Sequence, residues 1–204
     1  MIVICSWLKN YKNRLDFIKH SNILLKGRSK LEKGVSAENQ SLLFIVILGS
    51  LTAFGPLAID MFLPGLPNIS HDFDISASTT QLTISFFMIG LALGNFLAGP
   101  ISDITGRKKP LIFSLIIFTI ASLGIIFVTN IWIMIILRFI QGLTGGAGAV
   151  ISRAIASDMY SGNALTKFLS LLMVINGVLT IVIPLISGGI LSFFTWRSIF
   201  IFLT

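Results

Sequence analysis

Long apolar blocks are the feature that most constrains how this chain can fold. Five stretches of 19 to 26 residues contain few charged side chains, and each is long enough to cross the roughly 30 Å hydrocarbon core of a bilayer as a helix. Their approximate bounds are Ser41–Pro64, Thr80–Ile101, Pro110–Val128, Ile131–Ile155 and Phe168–Phe193. Because backbone polar groups find no water inside lipid, these blocks predict an all-α polytopic membrane protein.

Composition supports lipid as the solvent of this fold. The 204 residues are 54% hydrophobic and 11% charged, whereas soluble domains are about half apolar and a quarter charged. A sixth apolar block begins at Ser198 and reaches Thr204. A block this short cannot cross a bilayer. We therefore expect a truncated product that is cut within its sixth span.

Basic residues predict the orientation of the spans. Eight of the 15 Lys and Arg residues precede the first span, three lie at positions 107–109, and Arg153 and Lys167 flank the loop between spans four and five. The alternate loops contain no Lys or Arg. Since basic loops stay in the cytoplasm, we expect a multi-pass membrane protein with a cytoplasmic N-terminus. Arg197, before the sixth block, is the exception on the outer side.

Residues 1–40 form a basic tail that precedes the bundle of residues 41–204. The tail is partly amphipathic and would suit the surface of an anionic inner leaflet. A disordered tail or an incorrectly assigned start codon explains it equally well. The net charge of +7 follows from the loop asymmetry, so we expect the lipid bilayer, and no nucleic acid, as a partner.

Residues that carry enzyme chemistry are scarce. Cys5 is the single cysteine, and His20 and His71 are the two histidines. An internal disulfide is therefore excluded, and no His/Cys metal cluster is possible. The sequence also lacks a Gly-rich phosphate loop and a nucleophile with its base. We expect no metal, no cofactor and no enzymatic activity.

Apart from Arg153 at the cytoplasmic end of span four, two charged residues lie within the apolar blocks. Asp60 is near the outward end of span one, and Arg138 is about seven residues from the outer end of span four. Charges inside a membrane are costly and usually face a cavity or each other. Gln141 follows Arg138 by three positions, hence on the same helical face. We expect a polar stripe that points into the bundle, with Asp60 and Arg138 as possible partners in a functional or purely structural pair.

Small residues in spans two and four predict close helix packing. Span two has them at four-residue spacing, and span four has a glycine-rich run. These residues are Gly90, Gly94 and Ala98 in span two, and Gly142, Gly145, Gly146, Gly148 and Ala149 in span four. Pro56, Pro64 and Pro184 add expected kinks.

The segment GPISDITGRKKP resembles the signature loop of the major facilitator superfamily. The matching residues are Gly99, Asp103, Gly106, Arg107, Lys108 and Lys109. RFIQGLTGGAG resembles the family's Arg-Gln-Gly motif through Arg138, Gln141 and Gly142, while AIDMFLPGLP, PLISGG and TWRSIF resemble the Bcr/CflA drug-resistance subfamily. The chain departs from the family at Ile104, usually basic, and at Ile183, usually Gly before Pro184, Gly188 and Gly189 of the span-five motif.

This resemblance implies the N-terminal six-helix half of a twelve-span, proton-coupled multidrug exporter of the inner (plasma) membrane. The loop charges would latch this half to the missing C-terminal half, with Arg107 and the lysines binding carboxylates or lipid head groups. Asp60 would bind a proton or a cationic drug, and Arg138 would favour its deprotonated state. The expected cavity wall consists of Phe54, Met61, Phe62, Phe86 and Met88. Two alternatives remain: a metabolite transporter on the same fold, and a non-transporting membrane fragment.

Overall fold

The computed structural model describes residues 42–203, with side chains from Leu48 onward. The predicted basic tail, residues 1–40, lies outside the described residues. The described part contains helices and no strand. Its α-helices are α1 (Leu42–Asp60), α2 (Leu66–Asp72), α3 (Ala77–Thr105), α4 (Lys108–Ile126), α5 (Ile131–Met159), α6 (Asn163–Phe193) and α7 (Arg197–Leu203), and a 3₁₀ helix spans Leu63–Gly65.

Four of the five predicted spans are confirmed as helices long and apolar enough to cross a membrane, namely α3, α4, α5 and α6. Helices α3 and α5 contain 29 residues each and α6 contains 31. At 1.5 Å per residue each is more than 40 Å long (about 44 to 47 Å), whereas the hydrocarbon core is roughly 30 Å thick. The helix ends therefore extend past the hydrocarbon, and Asp103 and Asp158 lie on such ends.

The first predicted span, Ser41–Pro64, ends earlier than expected. Helix α1 stops at Asp60, and the chain turns through residues 61–62 into the 3₁₀ helix and α2. Pro64 and Pro67 each lie in the first turn of the element that follows, where the missing N–H of proline has no helical acceptor to lose. The loop after span one thus contains a short helix that the sequence did not predict.

Helices α3 and α5 pack backbone against backbone through glycine. A Cβ atom on any of four glycines would collide with a backbone carbonyl oxygen of the other helix. The collisions are those of Gly90 with Phe139, Gly94 with Leu143, Gly142 with Phe87 and Gly146 with Leu91. The predicted close packing is confirmed at these positions.

Gly148 does not take part in this packing, which corrects the sequence interpretation. A Cβ there would meet nothing within 4 Å, whereas one on Gly145 would lie 3.5 Å from the Gly55 Cα of α1. The glycine run of α5 therefore contacts two neighbours, α3 and α1, while the buried Gly148 leaves room for an added Cβ.

An aromatic core lies at the end of the bundle where α1 meets α2, hereafter the α2 end. Phe62, Trp196 and Phe200 are each at most 1% exposed. The Phe200 ring centroid lies 6.0 Å from that of Phe62 and 6.1 Å from that of Trp196, both in edge-to-face geometry, which aromatic pairs prefer. The segment that leads into α7 is thus anchored in the core.

Candidate functional site

The buried cation Arg138 lies in a cage of aromatic rings. It is 1% exposed, and its guanidinium carbon is 3.5 Å from the centroid of Phe62, 4.9 Å from that of Phe200 and 5.5 Å from that of Phe87. Because a ring face attracts a cation, and more so when water is absent, these three residues, the aromatic cage, offset part of the cost of burying the charge.

Polar contacts hold Arg138 from one side. Its Nη1 donates to the Gln141 Oε1 at 3.0 Å and to the Ala58 carbonyl at 3.3 Å. Gln141 in turn donates from Nε2 to the Ser122 Oγ at 2.8 Å. The Ala58 carbonyl is open to Arg138 because the Phe62 N–H, its partner in a continuing helix, bonds to the Ile59 carbonyl instead. The end of α1 therefore creates an acceptor for Arg138.

The expected ion pair between Asp60 and Arg138 is not formed in this structure. Neither residue takes part in any of the ion pairs found among the described residues. The Arg138 Nε and Nη2 and the Asp60 Oδ2 are buried without a hydrogen-bond partner. Asp60 interacts with the Thr180 hydroxyl of α6, whereas Arg138 bonds to the end of α1. The two charges are thus separately placed.

Asp60 lines a cavity of about 390 Å³, hereafter the Asp60 cavity. Four helices form its wall, through Thr52, Gly55, Pro56, Ile59 and Asp60 of α1, Met88, Leu91 and Asn95 of α3, Gly146, Ala149 and Arg153 of α5, and Thr180 of α6. Asn95 Oδ1, like Asp60 Oδ2, is buried without a partner. A mostly apolar cavity with a few such polar groups suits a small molecule that carries hydrogen-bond donors.

The predicted wall residues divide into three groups. Met88 lines the Asp60 cavity. Met61 and Phe62 are instead 1% exposed in the core, a correction that follows from the early end of α1. Phe54 packs edge-on against Phe118 at 5.4 Å, and Phe86 is exposed; neither lines the cavity.

At the opposite end of the bundle, Arg107 joins α3 to α5. Its Nε donates to the Asp158 Oδ2 at 2.9 Å, and its Nη1 donates to the Ser102 Oγ at 2.7 Å and to the Asp103 carboxylate. The hydrogen bond with Asp158 raises the pKa of Arg107 above its ordinary value, so the guanidinium stays charged. Sequence reasoning missed Asp158, which lies 51 residues from Arg107 and in no motif.

The turn of the signature loop requires glycine at one of its two glycine positions. Gly106 has φ +82°, a left-handed conformation that only glycine adopts without cost, and α4 begins two residues later. A Cβ atom added to Gly99 would meet nothing within 4 Å, so the described residues give no steric reason for that glycine. Ile104 is 87% exposed, and Lys108 and Lys109 form no ion pair within the described part of the chain.

Asp72 is a further charged residue that sequence reasoning did not single out. Its Oδ2 accepts from the Trp196 Nε1 at 2.7 Å and from the Arg197 Nη1 at 3.3 Å. The Arg197 Nε also donates to the Ile126 carbonyl at the end of α4. These contacts connect α2, α4 and the start of α7, and they give Arg197 a local partner at the end of the bundle where it was the exception to the charge rule.

The span-five motif lies near the end of α6. The helix continues through Pro184, and a Cβ atom on Gly188 or Gly189 would meet nothing within 4 Å. The Ser187 hydroxyl donates to the Met61 carbonyl after α1. Within residues 42–203 no group of three His, Cys, Asp or Glu residues could hold a metal ion.

Comparison with known proteins places this geometry in a family. The family model of the Major Facilitator Superfamily matches residues 47–204. The chain is 45% identical over 156 residues to an uncharacterized MFS-type transporter, YdgK, of Bacillus subtilis, covering 76% of this chain and 39% of the relative. It is 32% identical over 166 residues to a bicyclomycin resistance protein homolog of Haemophilus influenzae, covering 81% of this chain and 42% of the relative. It is also 32% identical over 157 residues to the multidrug resistance protein MdtL of Citrobacter koseri, covering 77% of this chain and 40% of the relative. The chain thus spans about two fifths of the length of these curated relatives.

Proposed function

Because the chain belongs to the Major Facilitator Superfamily, we propose that it supplies one half of a proton-coupled exporter of lipophilic or cationic compounds. The relatives named for bicyclomycin resistance and multidrug resistance support export of drug-like molecules. Since the chain covers about two fifths of each, a second half would complete the substrate pathway. The two halves would then expose a central site alternately to each side of the inner membrane.

The buried Oδ2 atom of Asp60, which has no hydrogen-bond partner, is the observation that carries this proposal. An acidic side chain inside a membrane protein is costly unless it pairs or serves a pathway, and Asp60 Oδ2 is buried without a partner in a residue that lines a cavity. A carboxylate in this position can bind either a proton or a cationic substrate, but not both at once. That competition is the minimal chemistry of a proton/cation exchanger.

Arg138 would act on this exchange from the same end of α1. Its Nη1 donates to the carbonyl of Ala58, two residues before Asp60. Its other two side-chain nitrogens, Nε and Nη2, have no acceptor. A shift of the last turn of α1 would therefore change the environment of both charges together. We propose that Arg138 and Gln141 position the last turn of α1, from which the Asp60 side chain extends.

Open glycines support a docking face for the second half. An added Cβ atom would meet nothing within 4 Å on Gly99 of α3 or on Gly177, Gly188 or Gly189 of α6. Among the four long helices, α6 has the smallest buried share of its most apolar segment. Small residues let membrane helices approach closely. We propose that these faces of α3 and α6 receive the second half, and that the Asp103–Arg107–Asp158 network holds the adjoining loop in place for the latch.

A chimera tests the proposal. Residues 1–204 would replace the matching part of the Bacillus subtilis relative, and resistance to lipophilic cations would be measured in a host that lacks its own pumps. We expect resistance from the chimera and none from residues 1–204 alone, because the proposed substrate pathway lies between two halves. A well-inserted chimera that confers no resistance, but restores growth on a single nutrient, would replace this proposal with metabolite transport.

A further inference from the structure

A second cavity lies on a face of the bundle that the proposed transport does not use. It has a volume of about 520 Å³ and lies between α3, α4 and α5, towards the end that carries the signature loop. Its wall is mainly apolar, and Leu97, Ile101, Phe113, Ile117 and Leu143 form much of it. Phe113 is 66% exposed, so this cavity, hereafter the α3–α4 groove, opens to the surface of the bundle.

The hydroxyl groups along the α3–α4 groove are already bonded to their own helices. Thr105 donates to the Ile101 carbonyl, Ser114 to the Leu111 carbonyl and Thr144 to the Ile140 carbonyl, at 2.6 to 2.9 Å. The wall therefore offers an occupant little hydrogen bonding. Lys109 is the one charged residue of the lining, and it forms no ion pair within the described residues.

The depth of the groove matches one leaflet of a bilayer. Along α4 the lining extends from Lys109 to Ile117, a rise of about 12 Å at 1.5 Å per residue. Half of the hydrocarbon core is roughly 15 Å. A lysine at the end of such a helix extends its amine towards the head groups. The groove thus presents an apolar channel of leaflet depth with a cation at its rim.

We propose that the α3–α4 groove binds an anionic phospholipid, with one acyl chain along the apolar wall and the phosphate against the Lys109 amine. This occupant matches both observations, since its tail needs no hydrogen bonds and its head group supplies the missing negative charge. Anionic lipids gather where basic residues meet the membrane surface. The site is separate from the Asp60 cavity, and its Lys109 also belongs to the signature loop.

Native mass spectrometry of the purified chain, offered dioleoyl phosphatidylglycerol and dioleoyl phosphatidylcholine in equal amounts, tests this site. We expect one retained phosphatidylglycerol, favoured about fivefold over phosphatidylcholine, which is the effect of one lysine near an anionic surface. Lys109→Gln should bring the ratio to about one, whereas Lys167→Gln, which removes the same charge elsewhere, should leave it unchanged. Ala147→Phe should fill the groove and abolish retention of both lipids.

A fluorescence measurement covers the case in which Ala147→Phe fails to fold. A Phe113→Trp variant places an indole in the groove wall, and brominated acyl chains should quench its added emission more strongly on phosphatidylglycerol than on phosphatidylcholine. Equal quenching by both lipids would overturn the proposal. So would an equal loss of preference in Lys167→Gln and Lys109→Gln, or a lipid-free dimer, which would place a second copy in the groove.

Discussion

Arg138 remains buried without a carboxylate because other groups surround its guanidinium. The aromatic cage faces the cation, with the Phe62 centroid at 3.5 Å, and the Gln141 and Ala58 oxygens accept from Nη1. Removing a buried ion from such contacts is costly, and no hydrogen bond or ion pair with Asp60 contributes to that cost. This arrangement differs from the ion pair that the sequence suggested, and the difference is measurable.

A double-mutant cycle on Asp60 and Arg138 separates the two arrangements. Since the two residues share no hydrogen bond, we expect Asp60→Asn and Arg138→Gln to lower the free energy of unfolding additively, with a coupling below about 0.5 kcal/mol. Thermal or denaturant unfolding in detergent gives the four values. A coupling well above about 1 kcal/mol would show that the pair forms in solution.

Single residues could be predicted from the sequence where burying the side chain costs free energy whatever its neighbours are. Asp60 and Arg138 stand out because a charge inside an apolar block needs a reason, whatever surrounds it. Their partners did not stand out, because a backbone carbonyl at Ala58 and the rings of Phe62 and Phe200 have no sequence signature. Asp158 and Asp72 were missed for a related reason, since each meets its arginine only through tertiary structure.

At the scale of helices, the contact of α3 with α5 is the most extensive among the described helices. Four glycine positions allow each helix to reach the carbonyl groups of the other. Close approach of this kind replaces the hydrophobic effect, which does not drive helices together within lipid. Any side chain at these positions would push the two backbones apart.

Matched alanine substitutions in these helices test that contact. Gly94→Ala adds a methyl group against the Leu143 carbonyl, and forcing atoms into a filled contact costs about 1 to 3 kcal/mol. Gly148→Ala adds the same methyl where nothing lies within 4 Å. We expect a lower unfolding temperature for Gly94→Ala and an unchanged or higher one for Gly148→Ala. Equal effects would contradict the packing described here.

Helices were easier to predict than their ends. Apolar length identified α3 to α6, because every membrane-spanning segment must satisfy its backbone internally. The end of α1 at Asp60 could not be placed, because apolar residues continue beyond it through Met61, Phe62 and Leu63. Burial in the core accounts for the apolar residues Met61 and Phe62 of that stretch.

For the whole molecule, the distribution of positive charge predicts one orientation. Reporter fusions after Lys109 and Lys167 should report a cytoplasmic position, and a fusion after Asp74 should report an external one. Alkaline phosphatase and a fluorescent protein give their signals on opposite sides of the membrane, so fusions to both reporters test each position twice. A cytoplasmic reading at Asp74 would reverse the arrangement and, with it, the side to which the Asp60 cavity is nearest.

Proton-coupled transport by the chimera is the most direct test of the account, because it asks whether Asp60, whose Oδ2 has no hydrogen-bond partner, is the exchanging group. Efflux of an organic cation would be measured in inverted vesicles under an imposed proton gradient, at matched expression. Asp60→Asn keeps the size of the side chain and removes its charge, so we predict efflux at the level of vesicles without the chimera, while the control Asp74→Asn keeps full activity. Full coupled efflux by Asp60→Asn would contradict the account and leave Asp60 with a structural role.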